Sequence, residues 1–307
     1  STTFNRCITN HTVCSPSRCA MFSGLYPHST GRRTLTSLIQ KDEHNLFRDL
    51  REAGYITVHY GKNDLLAADA FEASFDEWGT RMHEEEGGHF DIQFPEGHRL
   101  AKSFYNGCPK ETGEPLRDDD WARVQSALQF LDEDHDEPWC IYLPLTFAHP
   151  PYFVEEPWFS LHDRDAMPDR IPTDHTAKRC YMDLIHRNYD LDRLTEEDWR
   201  EIRATYFGMV SRVDDQLGQL IDKLKQRGEY DDTVIIYFSD HGDYAGDFGL
   251  VEKWFTGMEA PLVHVPMVIK PAGAADGSGE ISRDAFVEMI DLYPTVLDLA
   301  GVERKHH

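Results

Sequence analysis

A cysteine opens a short segment in which small residues, a proline and an arginine follow closely. Residues 13–24 contain Cys-Ser-Pro-Ser-Arg at positions 14–18 and continue as a helix-like run. A helix beginning at Cys14 would lower the pKa of its thiol and attract anions, because backbone N–H groups point outward there. Arg18, one turn further on, would face Cys14 or an anionic ligand. These residues alone also allow the ordinary interpretation of Cys14 as a small buried apolar side chain.

A carboxylate and an imidazole leave the end of an apolar run together. Residues 233–238 predict a buried strand, and Asp240, His241 and Gly242 follow it almost directly. Aspartate oxygens and an imidazole nitrogen suit a divalent cation. An Asx-type turn, with Gly242 as the permissive residue, explains the same pattern. Both interpretations stay open on this segment alone.

Three more side chains that could handle an anion or a proton lie near glycines or strand ends. His149 follows a predicted strand, Lys62 follows Gly61, and Lys253 ends the segment 249–253. Each by itself indicates little, because a single histidine is more often structural and a single lysine is more often solvated. Their meaning depends on whether the fold brings them to one place.

Strand and helix patterns alternate along the chain. Apolar runs predict strands at residues 55–60, 139–147, 233–238 and 263–270. Helical spacing predicts helices at residues 121–131, 195–228 and 286–299, with a capping-box-like start at 195–198 and a break at Pro294. This alternation predicts an α/β fold in which helices sandwich a mostly parallel sheet. Chemistry in such folds collects beyond the carboxyl ends of the strands, where His149, Asp240 and His241 lie.

Two polar, proline-rich segments, 81–116 and 150–194, are too long to be simple connections. Segments of that length commonly form lids or substrate walls, so we expect them to determine specificity. No internal repeat and no Gly/Ser linker interrupts the sequence. Residues 1–307 are therefore predicted to form a single α/β catalytic domain.

The charge balance restricts the partners. The 307 residues include 31 basic and 55 acidic ones, giving a formal net charge of −24. Such an acidic protein repels phosphate backbones, so we expect no nucleic-acid partner. No run approaches the roughly 20 apolar residues of a membrane span, so we expect no membrane partner either. The six cysteines form no C-x-x-C pair and no zinc spacing.

Five motifs, taken in order, resemble the type I sulfatases of the alkaline-phosphatase superfamily. They are Cys-Ser-Pro-Ser-Arg at 14–18, Gly-Lys at 61–62, His-Pro-Pro at 149–151, Ser-Asp-His-Gly at 239–242 and Gly-Leu-x-x-Lys at 249–253. Residues 206–215 and 265–271 are also similar to that family, so the resemblance covers nearly the whole chain. It implies an alkaline-phosphatase-like α/β fold and a sulfuric ester hydrolase acting on a small sulfated substrate.

The resemblance also assigns roles around Cys14. The first motif looks like the sequence in which these enzymes carry formylglycine, which a separate maturation enzyme generates from the cysteine. By family position, hydrated formylglycine at Cys14 would be the nucleophile and Arg18 would hold it. Asp240 and His241 would bind a divalent metal, for which calcium is expected, with manganese or magnesium as alternatives.

By the same family positions, Lys62, His149 and Lys253 would hold the sulfate oxygens, and His149 or Lys253 would protonate the leaving alcohol. One position departs from the family. Where family members often read Gly-Lys-Trp-His, this sequence has an aspartate at the fourth place, Asp64. Either Asp64 or another histidine would then take the role of the family's histidine.

Two further departures concern the ends. The resemblance implies a strand ending in paired aspartates ahead of Ser1, and a smaller C-terminal sheet domain beyond Val302. Those aspartates would supply the other metal ligands, and nothing in residues 1–13 replaces them. We therefore expect a fold that lacks the first strand and the C-terminal subdomain, with activity only when that strand is restored.

Two alternative functions stay open. Phosphonate monoesterases and phosphodiesterases of the same superfamily resemble sulfatases through the same nucleophile motif and a similar Asp-His pair. A non-catalytic binding protein that kept the fold is the other alternative, motivated by the missing aspartates and by Asp64. Relative rates on matched aryl sulfate and aryl phosphonate esters separate the first two, and metal-dependent turnover excludes the third.

Overall fold

The chain alternates strands and helices, and the computed structural model describes residues 1–84, 94–95, 97–173, 179–273 and 281–303. The strands are β1 (Thr2–Ile8), β2 (Ile56–His59), β3 (Glu77–Trp78), β4 (Tyr105–Gly107), β5 (Trp139–Tyr142), β6 (Tyr152–Phe153), β7 (Ile235–Phe238), β8 (Met267–Lys270) and β9 (Ile281–Glu288). The α-helices are α1 (Cys14–Ser23), α2 (Pro27–Thr30), α3 (Leu46–Glu52), α4 (Phe71–Ser74), α5 (Asp119–Asp132), α6 (Trp158–Leu161), α7 (Arg179–Asn188), α8 (Glu196–Arg227), α9 (Ala260–Val263) and α10 (Leu292–Ala300).

These strands form three sheets. The largest has the order β7-β8-β1-β9, and β8 is antiparallel to both of its neighbours while β1 and β9 are parallel. The second, β3-β2-β5, is parallel throughout, and β4 pairs with β6 in parallel. Parallel strands need crossover connections, and the intervening helices provide them. The predicted α/β fold with mostly parallel strands is confirmed, with β8 as the reversed strand.

The longest described helix, α8, begins and ends where the sequence predicts. The Thr195 side chain accepts from the Asp198 N–H at 3.2 Å, and Asp198 accepts the Thr195 N–H at 2.8 Å, which is a reciprocal capping box. Gly228 ends the helix with φ of 73°. No helix within the described ranges combines the length and the apolar character that crossing a bilayer requires.

Other elements correct the sequence predictions. The strand predicted at 139–147 ends at Tyr142, before Pro144, which has no N–H for a ladder. The predicted strand 263–270 is confined to Met267–Lys270, because residue 263 ends α9. The helix predicted at 286–299 begins only at Leu292, since residues 286–288 belong to β9 and pair with β1. Pro294 does not break α10, because it lies in the first helical turn, where no N–H is needed.

The largest apolar cluster lies between the four-stranded sheet and α1, α3 and α10, and it anchors α1. Its aromatic centre packs Phe22, Phe47 and Tyr142 against one another, with ring centroids 4.8–4.9 Å apart. All ten residues of α1 are buried. The helix that begins at Cys14 is therefore held rigidly, which matters for any site at its N-terminus.

The two long segments have structure of their own in their described parts. Segment 81–116 contains β4, and segment 150–194 contains β6, α6 and α7, while residues 85–93, 96 and 174–178 lie outside the described residues. Both segments are attached to α8 through Glu201. The Tyr105 hydroxyl donates to it at 2.8 Å, and Arg164 donates twice, at 2.9 and 3.0 Å. Their function as lids or substrate walls stays a prediction.

Candidate active site

Cys14 is the first residue of α1, as the sequence suggested. Val13 before it is extended, with φ of −133° and ψ of 150°, so the helix begins abruptly at the cysteine. Only 3% of Cys14 is exposed, and its Sγ lies 3.2 Å from His241 Nε2. A group at this position therefore meets the first N–H groups of α1 on one side and an imidazole on the other.

Asp240 and His241 follow β7, and the glycine after them is required by packing. A Cβ on Gly242 would lie 1.8 Å from the Pro261 carbonyl oxygen, so only glycine fits. The His241 Nδ1 donates to the Gly242 carbonyl at 2.8 Å. That hydrogen bond fixes the ring with Nε2 directed at Cys14. A tight turn and an imidazole placed like a metal ligand thus occur together. The turn and the cation site, the two interpretations of residues 240–242, are therefore compatible.

The backbone of Asp240 is fixed from the opposite side of the site. Its carbonyl oxygen accepts from the Ser17 hydroxyl at 2.6 Å and the Thr9 hydroxyl at 2.7 Å. Its carboxylate accepts from Arg18 Nε at 2.8 Å. Burial raises the pKa of Asp240, but the nearby positive charges of His241 and Arg18 lower it more, so the pKa lies below its ordinary value. Asp240 is therefore an ionised, well-oriented oxygen donor.

The donor atoms of Cys14, Asp240 and His241 all lie within 4.8 Å of one another. A carboxylate oxygen and an imidazole nitrogen are donors that calcium or manganese accepts. Asp240 and His241 therefore supply two donors of the kind that a divalent cation needs, beside position 14.

Arg18, Lys62 and Asp64 form a charged group next to the cysteine. Arg18 Nη1 donates to the Lys62 carbonyl at 2.9 Å, and Lys62 Nζ lies 3.2 Å from Asp64 Oδ2. Asp64 Oδ2 also lies 3.9 Å from Arg18 Nη1. Asp64 is thus a charge partner of both cations, which accounts for its presence without any direct contact to Cys14.

His149 and Lys253 are directly hydrogen-bonded, although 104 positions separate them. His149 Nδ1 donates to the Pro150 carbonyl at 2.6 Å, which leaves Nε2 as the acceptor from Lys253 Nζ. Lys253 Nζ also donates to Glu252 Oε1 at 2.6 Å. A lysine, an imidazole and a carboxylate therefore form a hydrogen-bonded chain through which a proton can be held and directed.

A small cavity of ≈ 80 Å³ collects most of the predicted residues. Its lining includes Cys14, Arg18, Lys62, His149, Asp240 and His241. Lys253 and Asp64 lie one contact away from the cavity. Lys253 is hydrogen-bonded to His149, and Asp64 forms an ion pair with Lys62. Five stretches of sequence thus converge on one place, with positive groups around it in an otherwise acidic protein.

Two contributors escaped the sequence analysis. Asp120 is buried and accepts from the Thr146 and Phe147 N–H groups at 2.8 Å each, which holds the turn that carries His149. It is one of three consecutive aspartates, so no sequence signal distinguishes it from a solvated acid. Glu252 beside Lys253 was likewise indistinguishable from a surface residue.

Comparison with known proteins agrees with this geometry. The family model described as Sulfatase matches residues 1–302. A multifunctional alkaline phosphatase superfamily protein of Trinickia caryophylli, PehA, is 28% identical, over 98% of this chain and 66% of that protein. The choline-sulfatase of Rhizobium meliloti (strain 1021) is also 28% identical, over 98% of this chain and 61% of that protein. The chain therefore spans less than two thirds of the length of these relatives.

A solved structure shows the same fold. The phosphonate monoester hydrolase of Agrobacterium radiobacter superposes with a TM-score of 0.75 at 22% identity, covering 100% of this chain and 68% of that chain. This chain thus shares the fold of that hydrolase. With the family model matching nearly every residue, the chain belongs to the sulfatase family.

Proposed function

We propose that the protein is a sulfuric ester hydrolase that uses formylglycine, derived from Cys14, and a divalent metal to cleave the sulfate ester of a small molecule. The observation that carries the proposal is the meeting of Cys14 with His241, 3.2 Å apart, in a cavity that Arg18, Lys62 and His149 also line. A nucleophile position, metal-type ligands and anion-binding cations are the three components that this reaction needs.

Cationic side chains hold the substrate. Lys62 and His149 line the cavity, and Lys253 is bonded to His149, so a tetrahedral anion placed there meets donors from two sides. These donors are prearranged and partly shielded from water, which strengthens their interaction with developing negative charge. They also explain how a protein of net charge −24 binds an anion.

The leaving alcohol takes its proton from Lys253. His149 cannot donate through Nδ1, because that atom already donates to the Pro150 carbonyl, and its Nε2 accepts from Lys253. Lys253 carries the mobile proton, and Glu252 at 2.6 Å balances its charge. His149 orients the lysine and contacts the sulfate.

Cys14 and the metal ligands complete the mechanism. Formylglycine at position 14 supplies, when hydrated, one hydroxyl that attacks sulfur and a second that allows sulfate to leave. Asp240 and His241 would hold the cation, expected to be calcium with manganese or magnesium as alternatives, whose contribution is to lower the pKa of the attacking hydroxyl. Arg18 keeps Asp240 in place at 2.8 Å. A formylglycine-generating maturation enzyme is the implied protein partner.

The decisive experiment is made on the complete gene product from its native source. We expect the peptide containing Cys14 to have the mass of the aldehyde form. Cys14→Ala is expected to abolish sulfate-ester turnover while folding stays intact, because the substitution removes a single heavy atom from the side chain. Cys180→Ala, at an exposed cysteine, is the control and is expected to keep full turnover. An intact thiol at Cys14, or turnover that survives Cys14→Ala, would contradict the proposal.

A phosphonate monoesterase is the second candidate. The likeness in fold to the phosphonate monoester hydrolase of Agrobacterium radiobacter favours it. Both functions use the same tetrahedral anion site, so the geometry of the cavity alone suits either ester. We expect faster turnover of an aryl sulfate than of the matched aryl phosphonate, and the opposite order would select the second candidate. Metal-dependent turnover of either ester excludes a purely binding role.

A further inference from the structure

A buried tyrosine links the turn that follows β7 to the segment that carries Lys253. Tyr152 lies on β6, and 0% of its surface is exposed. Its hydroxyl donates to Asp243 Oδ1 at 2.7 Å and accepts from the Glu252 N–H at 2.8 Å. A hydroxyl has a single proton, so one donated and one accepted bond fix its orientation. Three separate stretches of the chain are thus held together through one oxygen atom.

Asp243 is the fixed end of this link. It comes directly after Gly242, and its Oδ1 also accepts from the Ala245 N–H at 2.8 Å. Burial and the charge of this carboxylate raise the pKa of Tyr152 above its ordinary value, so the hydroxyl keeps its proton. The tyrosine therefore stays the donor to Asp243, and its oxygen stays available as the acceptor for the Glu252 N–H.

Glu252 is the other end of the link, and its backbone conformation needs support. Its φ is 62°, in the left-handed region that residues other than glycine rarely adopt. Such a conformation persists where the surrounding contacts hold it. Both backbone groups of Glu252 are engaged, because its N–H bonds to the Tyr152 hydroxyl and its carbonyl accepts from the Tyr244 N–H at 3.1 Å.

The turn at Glu252 determines where Lys253 points. Side chains of neighbouring residues in an extended chain point to opposite sides. Lys253 Nζ nevertheless lies 2.6 Å from Glu252 Oε1, and it also bonds to His149 Nε2. The left-handed backbone of Glu252 provides the bend that this contact requires. A change in that bend would move the lysine away from the imidazole.

We propose that the Tyr152 hydroxyl positions the proton donor of the reaction. By accepting the Glu252 N–H while it donates to Asp243, the hydroxyl fixes the backbone turn that keeps Lys253 against His149. Tyr152 is a positioning residue, since its complete burial prevents it from touching the substrate. The inference rests on the proposed function, in which Lys253 protonates the leaving alcohol.

Steady-state kinetics of Tyr152→Phe in the complete gene product tests this proposal. The substitution removes the oxygen that accepts the Glu252 N–H, and a misplaced proton donor matters most where the leaving group needs a proton. We expect kcat for alkyl sulfates to fall about 10- to 100-fold. For nitrophenyl sulfate we expect kcat to fall by less than about 3-fold. Equal losses for the two esters, or no loss for either, would overturn the proposal.

Tyr293→Phe is the matched control. Tyr293 is 1% exposed, and its hydroxyl donates to Asp49 Oδ2 at 2.6 Å, between α10 and α3. Both substitutions take one buried hydroxyl away from a carboxylate, so we expect similar small losses in melting temperature. The ratio of the two rates should change in Tyr152→Phe and stay constant in Tyr293→Phe. An equal change of the ratio in Tyr293→Phe would overturn the proposal, because a general loss of stability would then produce the effect.

A double substitution separates this inference from the proposed function. If Tyr152 acts only through Lys253, adding Tyr152→Phe to Lys253→Met should lower kcat for alkyl sulfates by less than about 2-fold further. A further fall as large as the one in the wild-type background would overturn the inference alone. An equal loss for both ester types in Lys253→Met itself would remove Lys253 as the proton donor, and the inference with it.

Hydrogen exchange provides a readout that needs no turnover. We expect the Glu252 amide of the folded wild type to exchange at least about 100-fold more slowly than in an unfolded chain, because its bond to a buried hydroxyl protects it. This protection should fall at least about 10-fold in Tyr152→Phe and persist in Tyr293→Phe. Fast exchange of the Glu252 amide in the wild type would overturn the proposal even if Tyr152→Phe failed to fold.

Discussion

Cys14 and His241 are 227 positions apart in sequence and 3.2 Å apart in space. Their meeting depends on two backbone features, the abrupt start of α1 and the turn at Gly242. The turn packs so closely against Pro261 that only glycine fits at position 242. Asp240 lies in the same turn and binds Arg18, so the carboxylate cannot rotate away from the cysteine. The arrangement is therefore built before any ligand arrives, which is the condition for efficient electrostatic catalysis.

Lys253 provides a prediction at the scale of one residue. Lys253→Met is expected to lower kcat about 10²- to 10⁴-fold for esters of alkyl alcohols, because the leaving group then lacks its proton donor. Esters of nitrophenol need little protonation, so their kcat should fall far less. Steady-state kinetics on the two ester types measures the difference.

Lys223→Met is the matched control for that substitution, since Lys223 forms its ion pair with Asp132 at 2.7 Å, away from the cavity. It is expected to leave both rates unchanged. An equal loss for both ester types in Lys253→Met would mean that Lys253 binds the sulfate rather than protonating the alcohol.

The sequence predicted the members of the site better than their hydrogen bonds. The order of the motifs pointed to Cys14, Asp240, His149 and Lys253 through the resemblance to a known family, although each motif alone indicated little. That His149 accepts from Lys253 depends on the Pro150 carbonyl engaging its other nitrogen, which only coordinates show. The support of the turn by Asp120 was likewise invisible, because it depends on backbone N–H groups 26 and 27 positions away.

At the scale of elements, local signals predicted helices well and one strand poorly. The limits of α8 were predictable because the capping box and Gly228 are local. The apolar spacing of residues 286–299 favoured one helix, yet residues 286–288 extend β9 because β1 offers them a parallel partner. That partner strand itself, Thr2–Ile8, was not predicted. Strand formation depends on distant pairing, which propensity alone does not contain.

His59 on β2 gives a prediction at this scale. Burial lowers its pKa from 6.5 to about 4, with Arg18 and Arg123 adding to the effect, and its Nε2 has no hydrogen-bond partner among the described residues. Between pH 6.5 and 4 the unfolded chain binds a proton that the folded chain does not, so the free energy of unfolding falls as pH is lowered. The loss from this residue is about 3 kcal/mol, at 1.36 kcal/mol for each pKa unit.

Urea unfolding of the wild type and His59→Gln at several pH values measures this contribution. The variant is expected to show a shallower dependence of unfolding free energy on pH between 6.5 and 4. His28→Gln, at an exposed histidine, should reproduce the wild-type dependence. If His59→Gln and the wild type gave parallel curves, His59 would bind its proton over the same pH range in the folded protein and in the unfolded chain.

At the scale of the whole molecule, net charge opposes compactness. The formal charge of −24 produces self-repulsion, because ion pairs leave the net charge unchanged. We expect the melting temperature at pH 7.5 to rise when NaCl increases from about 0.05 to about 0.5 M, because the Debye length shortens severalfold. Differential scanning calorimetry records this change.

The same salt series near the isoelectric point, about 4.9, is the internal control. There the net charge is close to zero, so added NaCl should shift the melting temperature far less. A melting temperature that falls with NaCl at pH 7.5 would show instead that attractive ion pairs dominate.

Glu201 on α8 binds Tyr105 from one long segment and Arg164 from the other. If recombination replaced only the segment that carries Tyr105, Glu201 would keep its two hydrogen bonds from Arg164 and lose the one from the tyrosine hydroxyl. We therefore expect segments 81–116 and 150–194 to be exchanged between relatives as a pair. A chimaera that receives both segments together with Glu201 should be more stable than one that receives a single segment. Through Glu201, a change in one of the two long segments therefore affects the contacts of the other.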